Sequence, residues 1–362
     1  MRIKNLTLTN FRNYEKETFT FGEGLNVLIG KNAQGKTNCA EAVFYLCTGT
    51  SLRIRRDNQL IRRGCEEASL SATAESRYGA ITLEAVIREH GKELRVNGVK
   101  VAKTADWIGN INSVFFSPGE LRLIQDGPDE RRRFLDISIS QTSRRYYTAL
   151  LRYRKILEQR NTLLKEKNDS LILETLPVWD EQLCTYAAII GKARKEYVDL
   201  LAPYAKEAHA YLTDGAEELF IACERKYRGD EEEIKEKLYR EMQERYERDM
   251  RLGFTSVGPH RDDLDIRIGE LDAKQFASQG QTRTVALSIK FAEVEIFKRL
   301  TGESPVLILD DVMSELDLPR RKKLVEKVEG LQTIVTCTHA ERALYGKDAQ
   351  KIRISEGRLI KA

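Results

Sequence analysis

The fold class of the chain is decided by residues 30–37, which read GKNAQGKT. They fit the pattern GxxxxGK followed by Ser or Thr, and they lie between the apolar run LNVLI (25–29) and a helix-compatible run from Asn38. The order of strand, glycine-rich loop and helix is typical of a phosphate-binding loop, whose backbone N–H groups and helix N-terminus attract phosphate oxygens. A chance glycine-rich turn is the alternative, and the flanking strand and helix argue against it. We therefore predict an α/β, P-loop fold that binds ATP.

The loop supplies most of the predicted nucleotide contacts. The side chain of Lys36 is expected to reach the β- and γ-phosphates and to act in catalysis, and the hydroxyl of Thr37 is expected to bind Mg²⁺. Every residue of the loop is predicted to bind the nucleotide: Gly30, Lys31, Asn32, Ala33, Gln34, Gly35, Lys36 and Thr37.

A second part of the site is predicted at the end of the apolar run VLILDD (306–311). A P-loop protein needs a carboxylate at the end of a neighbouring strand to hold the Mg²⁺ shell, and Asp310 has that position. Asp311 follows it and is predicted to orient or deprotonate the attacking water. A solvated strand end is the alternative explanation for such a pair, and the P-loop upstream favours the catalytic one.

A short segment upstream of that strand, SQGQ at residues 278–281, resembles the signature LSGGQ of the ABC ATPases, with Gln279 in place of the first glycine. Ser278 and Gly280 lie at the start of a predicted helix, where a hydroxyl and N–H groups bind anions. The resemblance implies that Ser278, Gly280 and Gln281 contact the γ-phosphate held by a second copy of the chain. An ordinary helix N-cap is the alternative. The predicted core face of this helix consists of Val285, Ile289, Ala292, Ile296 and Leu300.

The ABC resemblance implies further roles near the two acids. ABC ATPases mostly have Glu at the position of Asp311, so the shorter Asp is consistent with slow hydrolysis. The segment SELD (314–317) is similar to the D-loop, which crosses between subunits, and His339 has the place of the switch histidine that senses the γ-phosphate. A structural role is the alternative for His339, and Gln125 is a weaker candidate for a Q-loop.

The composition excludes several classes of protein. The chain has 362 residues, 41% hydrophobic and 32% charged, with a net charge of +4, so a large core is available and charge alone does not indicate DNA binding. Its six cysteines form no CxxC pair and no zinc spacing, which is typical of reduced thiols. The sequence contains no signal peptide and no apolar run of about 18 residues, so we expect a soluble, cytoplasmic protein without a membrane partner.

The chain divides into an ATPase head and an insertion. Residues 1–118 and 254–362 contain short apolar strands and helices, and we assign them to an ABC-type head made of two segments. Residues 119–253 are rich in charged, helix-forming stretches and are predicted to form an inserted, mostly helical arm or lid domain. In the helix that begins at Arg144, the predicted core face contains Tyr147, Leu150, Leu157 and Leu164.

The insertion is typical of the chromosome-maintenance branch of ABC ATPases rather than of transporters, because roughly 240 residues separate Thr37 from Ser278. Along nearly its whole length the chain resembles the RecF family of bacterial recombination mediators. The matching stretches are LTNFRNYE (8–15), GKNAQGKTN (30–38), SPGELRLIQDGPDERRRFLD (117–136), VGPHRDDL (257–264), SQGQTRT (278–284) and LILDDVMSELD (307–317). Two departures from the family pattern, Gly119 and Asp126, affect only the roles assigned within the third stretch.

The resemblance implies a short antiparallel helical arm, an ATP-dependent homodimer, and work on DNA at gaps and at junctions of single-stranded and duplex DNA. It also implies that RecR and RecO act with the protein to place RecA, and that weak, DNA-dependent ATP hydrolysis releases the dimer. A transporter subunit is one alternative, and it would need a membrane partner. A Rad50- or SMC-like bridging protein is another, and it would need a longer coiled coil.

Two basic clusters are the candidates for DNA contact. The first lies in RIRRDNQLIRR (53–63) and consists of Arg53, Arg55, Arg56, Arg62 and Arg63. Such side chains contact phosphates without reading sequence, and their contribution falls as salt rises. The second cluster lies between Arg144 and Lys167, and a solvated helical face explains it equally well. A separate run could face either DNA or the nucleotide: Arg131, Arg132 and Arg133.

Overall fold

The computed structural model describes residues 1–54, 56–166, 169–225, 227–338 and 349–360. Within these residues the chain forms two compact units. The first contains Met1–Leu121, Tyr211–Asp214 and Ala286–Ala362, and the second contains Arg122–Ala210 and Gly215–Val285.

The first unit contains an antiparallel sheet. Its strands are β1 (Arg2–Phe11), β2 (Tyr14–Thr20), β4 (Glu67–Ser76), β5 (Gly79–Arg88), β6 (Gly91–Val96) and β7 (Val99–Lys100). They follow one another in the order β2-β1-β4-β5-β6-β7. The sequence LRVNGVKV forms the hairpin that its Asn-Gly pair predicts, because Asn97 and Gly98 have φ values of 50° and 77° between β6 and β7.

A second sheet of the first unit contains the strand that precedes the phosphate loop. Its strands are β3 (Leu25–Ile29), β8 (Ser113–Phe116), β12 (Val306–Asp310), β13 (Thr333–Cys337), β14 (Gln350–Ser355) and β15 (Arg358–Ile360). The order is β15-β14-β3-β13-β12-β8, and all neighbours are parallel except β14 and β15. Because the carboxyl ends of parallel strands lie at one edge of a sheet, the loops after β3, β8, β12 and β13 meet at that edge.

Helices complete the first unit. They are α1 (Lys36–Thr48), α10 (Leu318–Lys327) and the C-terminal part of α9 (Gln279–Thr301), with short 3₁₀ turns at Asp57–Leu60, Thr104–Asp106, Pro118–Leu121 and Met313–Glu315. The predicted core face of α9 is buried at Val285, Ile289, Ala292 and Ile296. Leu300 is the exception, because it lies in the last turn of the helix and is 49% exposed.

The second unit is mainly helical, as the sequence predicts. Its elements are α2 (Arg122–Gln125), α3 (Pro128–Ser140), α4 (Arg144–Glu166), α5 (Asp169–Thr213), β9 (Leu219–Cys223), α6 (Glu231–Glu244), α7 (Tyr246–Leu252), β10 (Leu264–Ile268), β11 (Leu271–Asp272) and α8 (Ala273–Phe276). The last turn of α5 belongs to the first unit, and the first turns of α9 belong to the second.

The division of the chain differs from the predicted segments after residue 254. We assign residues 254–362 to the head, whereas the structure groups residues 254–285 with the second unit. The reason is strand pairing, because β10 pairs with both β9 and β11 in a three-stranded antiparallel sheet. β9 lies inside a zone that the sequence predicts as helical, and its partner strand is far downstream, so local periodicity does not reveal it.

The buried face of α4 also differs from the predicted one. Tyr147 and Leu157 are only half-buried. The core positions are Tyr146, Ala149, Leu150, Tyr153, Ile156, Arg160 and Leu164. Arg160 belongs to the second basic cluster, yet it is fully buried and hydrogen-bonds Asp180 and Asp249 at 2.6 and 3.0 Å. A paired arginine therefore occupies a core position that a count of apolar residues does not detect.

The six cysteines are not joined in disulfides, and Cys39 and Cys337 are buried. Burial raises the pKa of the Cys39 thiol, which makes it unreactive. Among the helices that the structure describes, none has the length and apolar character needed to cross a membrane.

Candidate nucleotide site

The phosphate loop joins β3 to α1, and two of its positions require glycine. A Cβ on Gly30 would lie 2.3 Å from the carbonyl oxygen of Ile354 in β14. Gly35 has a φ of 117°, a backbone conformation that L side chains rarely adopt. The glycines therefore allow the loop to lie against β14 and to turn directly into α1.

Lys36 bends back over the loop. Its Nζ donates hydrogen bonds to the carbonyl oxygens of Gly30 and Lys31 at 2.6 and 2.8 Å. Burial lowers the pKa of Lys36, and the negative charge of Asp311 opposes this effect. The ammonium group thus lies at the loop that would surround phosphates, on carbonyl bonds that it can exchange for phosphate oxygens.

Thr37 and Asp310 lie together at the carboxyl edge of the parallel sheet. Thr37 Oγ1 donates a hydrogen bond to Asp310 Oδ1 at 2.9 Å, and Thr336 Oγ1 donates to the same oxygen at 2.8 Å. Burial raises the pKa of Asp310, and the hydrogen bonds from Thr336 and Thr37 oppose this effect. The hydroxyl and the carboxylate form a pair of oxygen donors of the kind that Mg²⁺ prefers.

Asp311 follows β12 with a φ of 55°, in the left-handed region. Its amide donates a hydrogen bond to Thr336 Oγ1 at 3.0 Å, and Ser314 Oγ donates to its backbone oxygen at 2.8 Å and to its Oδ1 at 3.2 Å. Unlike buried Asp310, Asp311 is exposed. A non-glycine residue held at positive φ is strained, and such strain is concentrated at functional positions.

A cleft of about 310 Å³ opens beside these residues, within the size range of small-molecule sites. It is lined by Asn32, Ala33, Gln34, Gly35, Lys36, Thr37, Asn38, Arg53, Asp311 and Thr336. The structure therefore brings six of the eight predicted loop residues, 32–37, and Asp311 to one cleft, and it adds Arg53, Asn38 and Thr336.

Arg53 lies in this cleft, although the sequence groups it with the DNA-binding arginines. Its Nη1 is 3.3 Å from Glu41 Oε2 and 3.2 Å from Asn38 Oδ1. Arg12 donates two hydrogen bonds to the same carboxylate, at 2.9 and 2.8 Å, and Glu41 is 2% exposed. The buried Glu41 thus holds the Arg53 guanidinium beside α1, in the cleft that the phosphate loop lines.

The phosphate loop is also held by segments from both ends of the chain, which sequence reasoning missed as parts of the site. Tyr14 donates its hydroxyl to the carbonyl oxygen of Gly35 at 2.8 Å, and Asn13 Nδ2 donates to the carbonyl oxygen of Gln34 at 3.1 Å. The amide of Gly357 donates to the same Gln34 oxygen at 3.0 Å. The stretch LTNFRNYE marks the first two residues through family resemblance alone, and no local signal marks Gly357.

The signature segment lies in the second unit and begins α9. Ser278 Oγ accepts a hydrogen bond from the Gln281 amide at 3.2 Å, and Gln281 Oε1 accepts one from the Ser278 amide at 2.8 Å. This reciprocal pair is a capping box, so Ser278 does act as a helix N-cap. Ser278 is nevertheless exposed, and the helix end remains accessible to a phosphate.

The arginine-rich stretch and the GPHRDDL stretch bind each other in the second unit. Arg131 is 5% exposed and donates hydrogen bonds to Oδ1 and Oδ2 of Asp263 at 2.5 and 2.7 Å. Arg132 Nη1 donates to the carbonyl oxygen of Asp262 at 2.6 Å. Neither DNA nor the nucleotide is needed to explain these two arginines, because they hold a loop of their own unit.

Three other arginines of the first basic cluster are described by the structure, and they lie near the surface of the first unit. Arg56 and Arg63 are exposed, and Arg62 pairs with Glu15 at 3.4 Å. Arg62 and Arg63 also line an open groove of about 900 Å³. The other charged residues of that groove are Glu66, Arg88, Glu89, Lys92, Glu93 and Lys100.

In the parts of the chain that the structure describes, no group of three or more His, Cys, Asp or Glu side chains could hold a metal ion by itself. This agrees with a P-loop site, where Mg²⁺ takes few protein ligands and completes its shell with phosphates and water. Thr37 and Asp310 fit that role. Two further predicted residues, His339 and Arg55, lie outside the described residues.

A phosphate loop after a central parallel strand, an acidic pair on the second strand away and an SQGQ-capped helix define an ATPase head of the ABC type. The chain matches the RecF/RecN/SMC N-terminal domain family over residues 2–359. The DNA replication and repair protein RecF of Clostridium acetobutylicum is 40% identical to it over 363 residues, which cover 99% of each chain. The chain belongs to the RecF family of DNA replication and repair proteins.

Solved structures agree with this assignment. A structure of RecF with ATP, described as the recombination mediator protein of the RecFOR pathway, has a TM-score of 0.90 and 35% identity, and covers 100% of this chain and 97% of that chain. An Smc head bound to the C-winged helix domain of ScpA has a TM-score of 0.58 at 16% identity, and covers 99% and 97% of the two chains. The second likeness concerns the fold alone. The predicted family and α/β ATPase-head fold are therefore confirmed.

Proposed function

We propose that this protein is an ATP-driven DNA clamp, in which ATP joins two copies of the chain and slow, DNA-dependent hydrolysis releases them. The first unit acts as the ATPase head, and the second as the helical arm. One observation carries the proposal: Lys36, Thr37 and Asp310 lie together in the first unit, while the signature begins an exposed helix end in the second.

One copy supplies the residues around the β- and γ-phosphates. Lys36 exchanges its two carbonyl bonds for phosphate oxygens, and the backbone N–H groups of the loop surround the phosphates. Thr37 and Asp310 would hold Mg²⁺, which would neutralise charge that develops on the transferred phosphoryl group. The cleft residue Arg53 is assigned to the nucleotide rather than to DNA.

The second copy supplies the signature. Ser278 and Gly280 offer a hydroxyl and a helix N-terminus to the γ-phosphate, and Gln281 releases the capping bond to do so. These contacts exist only in the dimer, so ATP shifts the equilibrium from monomer to dimer.

Hydrolysis depends on Asp311 and is slow. Its exposed carboxylate at the end of β12 orients the attacking water, and the side chain is one carbon shorter than the Glu that most ABC ATPases have. His339 is assigned the role of the switch histidine, which senses the γ-phosphate. Slow turnover suits a clamp, because the dimer must persist while it is used.

DNA contact is assigned to arginines of the head: Arg55, Arg56, Arg62 and Arg63. The preferred sites are duplex DNA and junctions of single-stranded and duplex DNA at gaps. The RecFOR description of a related structure supports RecR and RecO as partners that help to place RecA. We also assign the protein to the cytoplasm, where the chromosome of a bacterial cell lies.

Sedimentation velocity with and without ATP and Mg²⁺ tests the proposal. We expect monomers without nucleotide and dimers with it, and stronger binding of gapped DNA in the presence of ATP. A chain that stays monomeric with saturating ATP, or that dimerises equally without it, contradicts the clamp. Parallel measurements on gapped, duplex and single-stranded DNA, with and without RecR, define the preferred partner.

A further inference from the structure

A buried cluster of charges in the first unit links the segment after β8 to α9. Lys290 Nζ is 3.0 Å from Glu120 Oε2 and 3.1 Å from Glu293 Oε2. The side chains of Lys290, Glu293 and Glu120 are 7%, 3% and 17% exposed. Glu293 lies on the same helix as Lys290. Of these two ion pairs, the one between Lys290 and Glu120 therefore joins two different elements.

The cluster keeps Lys290 charged. Burial acts to lower the pKa of Lys290, but Glu120 and Glu293 together outweigh burial and hold it above the ordinary value. Removing one partner from a buried ion pair is strongly destabilising, because an uncompensated charge then remains in the interior. We therefore expect Lys290 to move together with a carboxylate partner when that partner moves.

Glu120 lies a few residues from the edge of the sheet that carries Asp310. Phe116, the last residue of β8, pairs with Leu309, the residue before Asp310. The chain leaves the sheet at that point and forms the 3₁₀ turn Pro118–Leu121. If the edge of the sheet at Asp310 shifts when ATP and Mg²⁺ bind, the short segment from Phe116 to the 3₁₀ turn therefore transmits this shift to Glu120.

Lys290 is joined to the signature by an unbroken helix. α9 runs without interruption from Gln279 to Thr301, and Ser278 caps its first turn. About three helical turns separate Ser278 from Lys290, a length over which an α-helix moves as a rigid rod. A displacement of Lys290 is thus a displacement of the signature.

We propose that Glu120 and Lys290 are positioning residues that couple the nucleotide held by one copy to the signature which that copy offers to its partner. The inference rests on the proposed function. ATP in the first unit shifts the segment after β8, Lys290 follows Glu120, and α9 brings Ser278 into place. A copy without ATP then offers a misplaced signature, so the dimer forms only when both copies hold ATP.

The variants Glu120→Gln and Glu293→Gln form a matched pair. Each removes one carboxylate from the same cluster, and the two variants differ in whether the lost ion pair joins two elements. Hydrogen–deuterium exchange of residues 273–285 is measured with and without ATP and Mg²⁺, at concentrations where sedimentation shows monomers. Titration with a fluorescent ATP analogue gives the nucleotide affinity of each monomer.

In the wild type and in Glu293→Gln we expect ATP to change exchange in this segment by at least about fivefold, and in Glu120→Gln by less than about twofold. Nucleotide affinity stays within about twofold in all three proteins, which a general loss of structure would not allow. Equal responses in the two variants, or no response in the wild type, overturn the coupling.

The measurement on monomers separates the two proposals. If ATP fails to dimerise the wild type, the clamp is wrong, while exchange in the monomer still decides the coupling. If Glu120→Gln does not fold, the triple variant Glu120→Gln/Lys290→Met/Glu293→Gln removes the two carboxylates and the ammonium group together, so that neither ion pair is left with a single charged member. It is expected to lose the exchange response to ATP, and a retained response overturns the coupling.

Discussion

Lys36 and Ser278 belong to the two halves of the proposed composite site, and their surroundings differ. Lys36 is 8% exposed and bonds two carbonyl oxygens of the phosphate loop, beside a carboxylate that already bonds Thr37. Ser278 is exposed and exchanges hydrogen bonds with Gln281, one turn away on the same helix. The first half is organised before ATP arrives, whereas the second is a surface helix end that gains a new partner only from outside.

The largest expected effect is that of Lys36→Met, which removes the charge from the organised half. ATP turnover falls by about 10²- to 10³-fold, because a positioned donor to the phosphates is lost. A phosphate-release assay measures ATP turnover, and nucleotide titration measures ATP affinity. The exposed Lys16→Met on β2 is the control and keeps both, and normal turnover in Lys36→Met breaks the comparison.

Asp311→Asn is expected to bind ATP and to dimerise, but to turn over about 100-fold more slowly, since it removes the base that orients water. Asparagine tolerates the positive φ of Asp311, so the backbone is preserved. Asp214→Asn is a matched control, because Asp214 is an aspartate with a φ of 54°. Single-turnover kinetics and sedimentation are compared, and turnover at the wild-type rate removes Asp311 from the mechanism.

Two substitutions of Ser278 separate the cap from the phosphate contact. Ser278→Ala removes the cap and lowers stability by about 1 kcal/mol. Ser278→Arg also places a bulky charge at the proposed contact, and ATP-dependent dimerisation weakens by at least about 20-fold while monomers still bind ATP. Sedimentation and thermal melting measure both quantities. If the two variants dimerise alike, Ser278 is only a helix cap and the two halves do not form one site.

The smallest effect is expected at the basic cluster of the first unit. The double variant Arg56→Glu/Arg63→Glu lowers the slope of log affinity for DNA against log salt by about two, because two phosphate contacts are lost. Arg53→Gln should leave this slope unchanged and weaken ATP binding instead. Anisotropy titrations with labelled duplex at several salt concentrations measure the slope. If the salt slope changes in Arg53→Gln but not in Arg56→Glu/Arg63→Glu, then Arg53 contacts DNA and Arg56 and Arg63 do not.

The sequence patterns that mark the organised half are local. The loop from Gly30 to Thr37 and the acids after β12 depend on residues that are adjacent in the chain, and the strands that carry them are continuous apolar runs. The signature segment was equally recognisable, since a capping residue and a helical period are local signals. For that reason the α/β head and its family could be predicted without a structure.

Features that depend on distant partners could not be predicted. From the sequence, Arg131 is a candidate for binding DNA or the nucleotide, because its partner Asp263 lies far downstream in the chain. On α4, Arg160 is buried because Asp180 and Asp249 pair with it, and both partners are distant in the sequence. The position of Gly357 against the phosphate loop likewise depends on pairing of β14 with β3, which no local pattern shows.

The hydrogen bond from Gly357 to Gln34 has a consequence for synthesis on the ribosome. β3 gains its neighbours only when residues 333–337 and 350–353 have emerged, although the phosphate loop itself is made near the start. At ordinary rates of translation the loop waits roughly 15 to 65 s for these strands. A nascent chain therefore cannot complete the sheet around its phosphate loop until nearly the whole protein has been made.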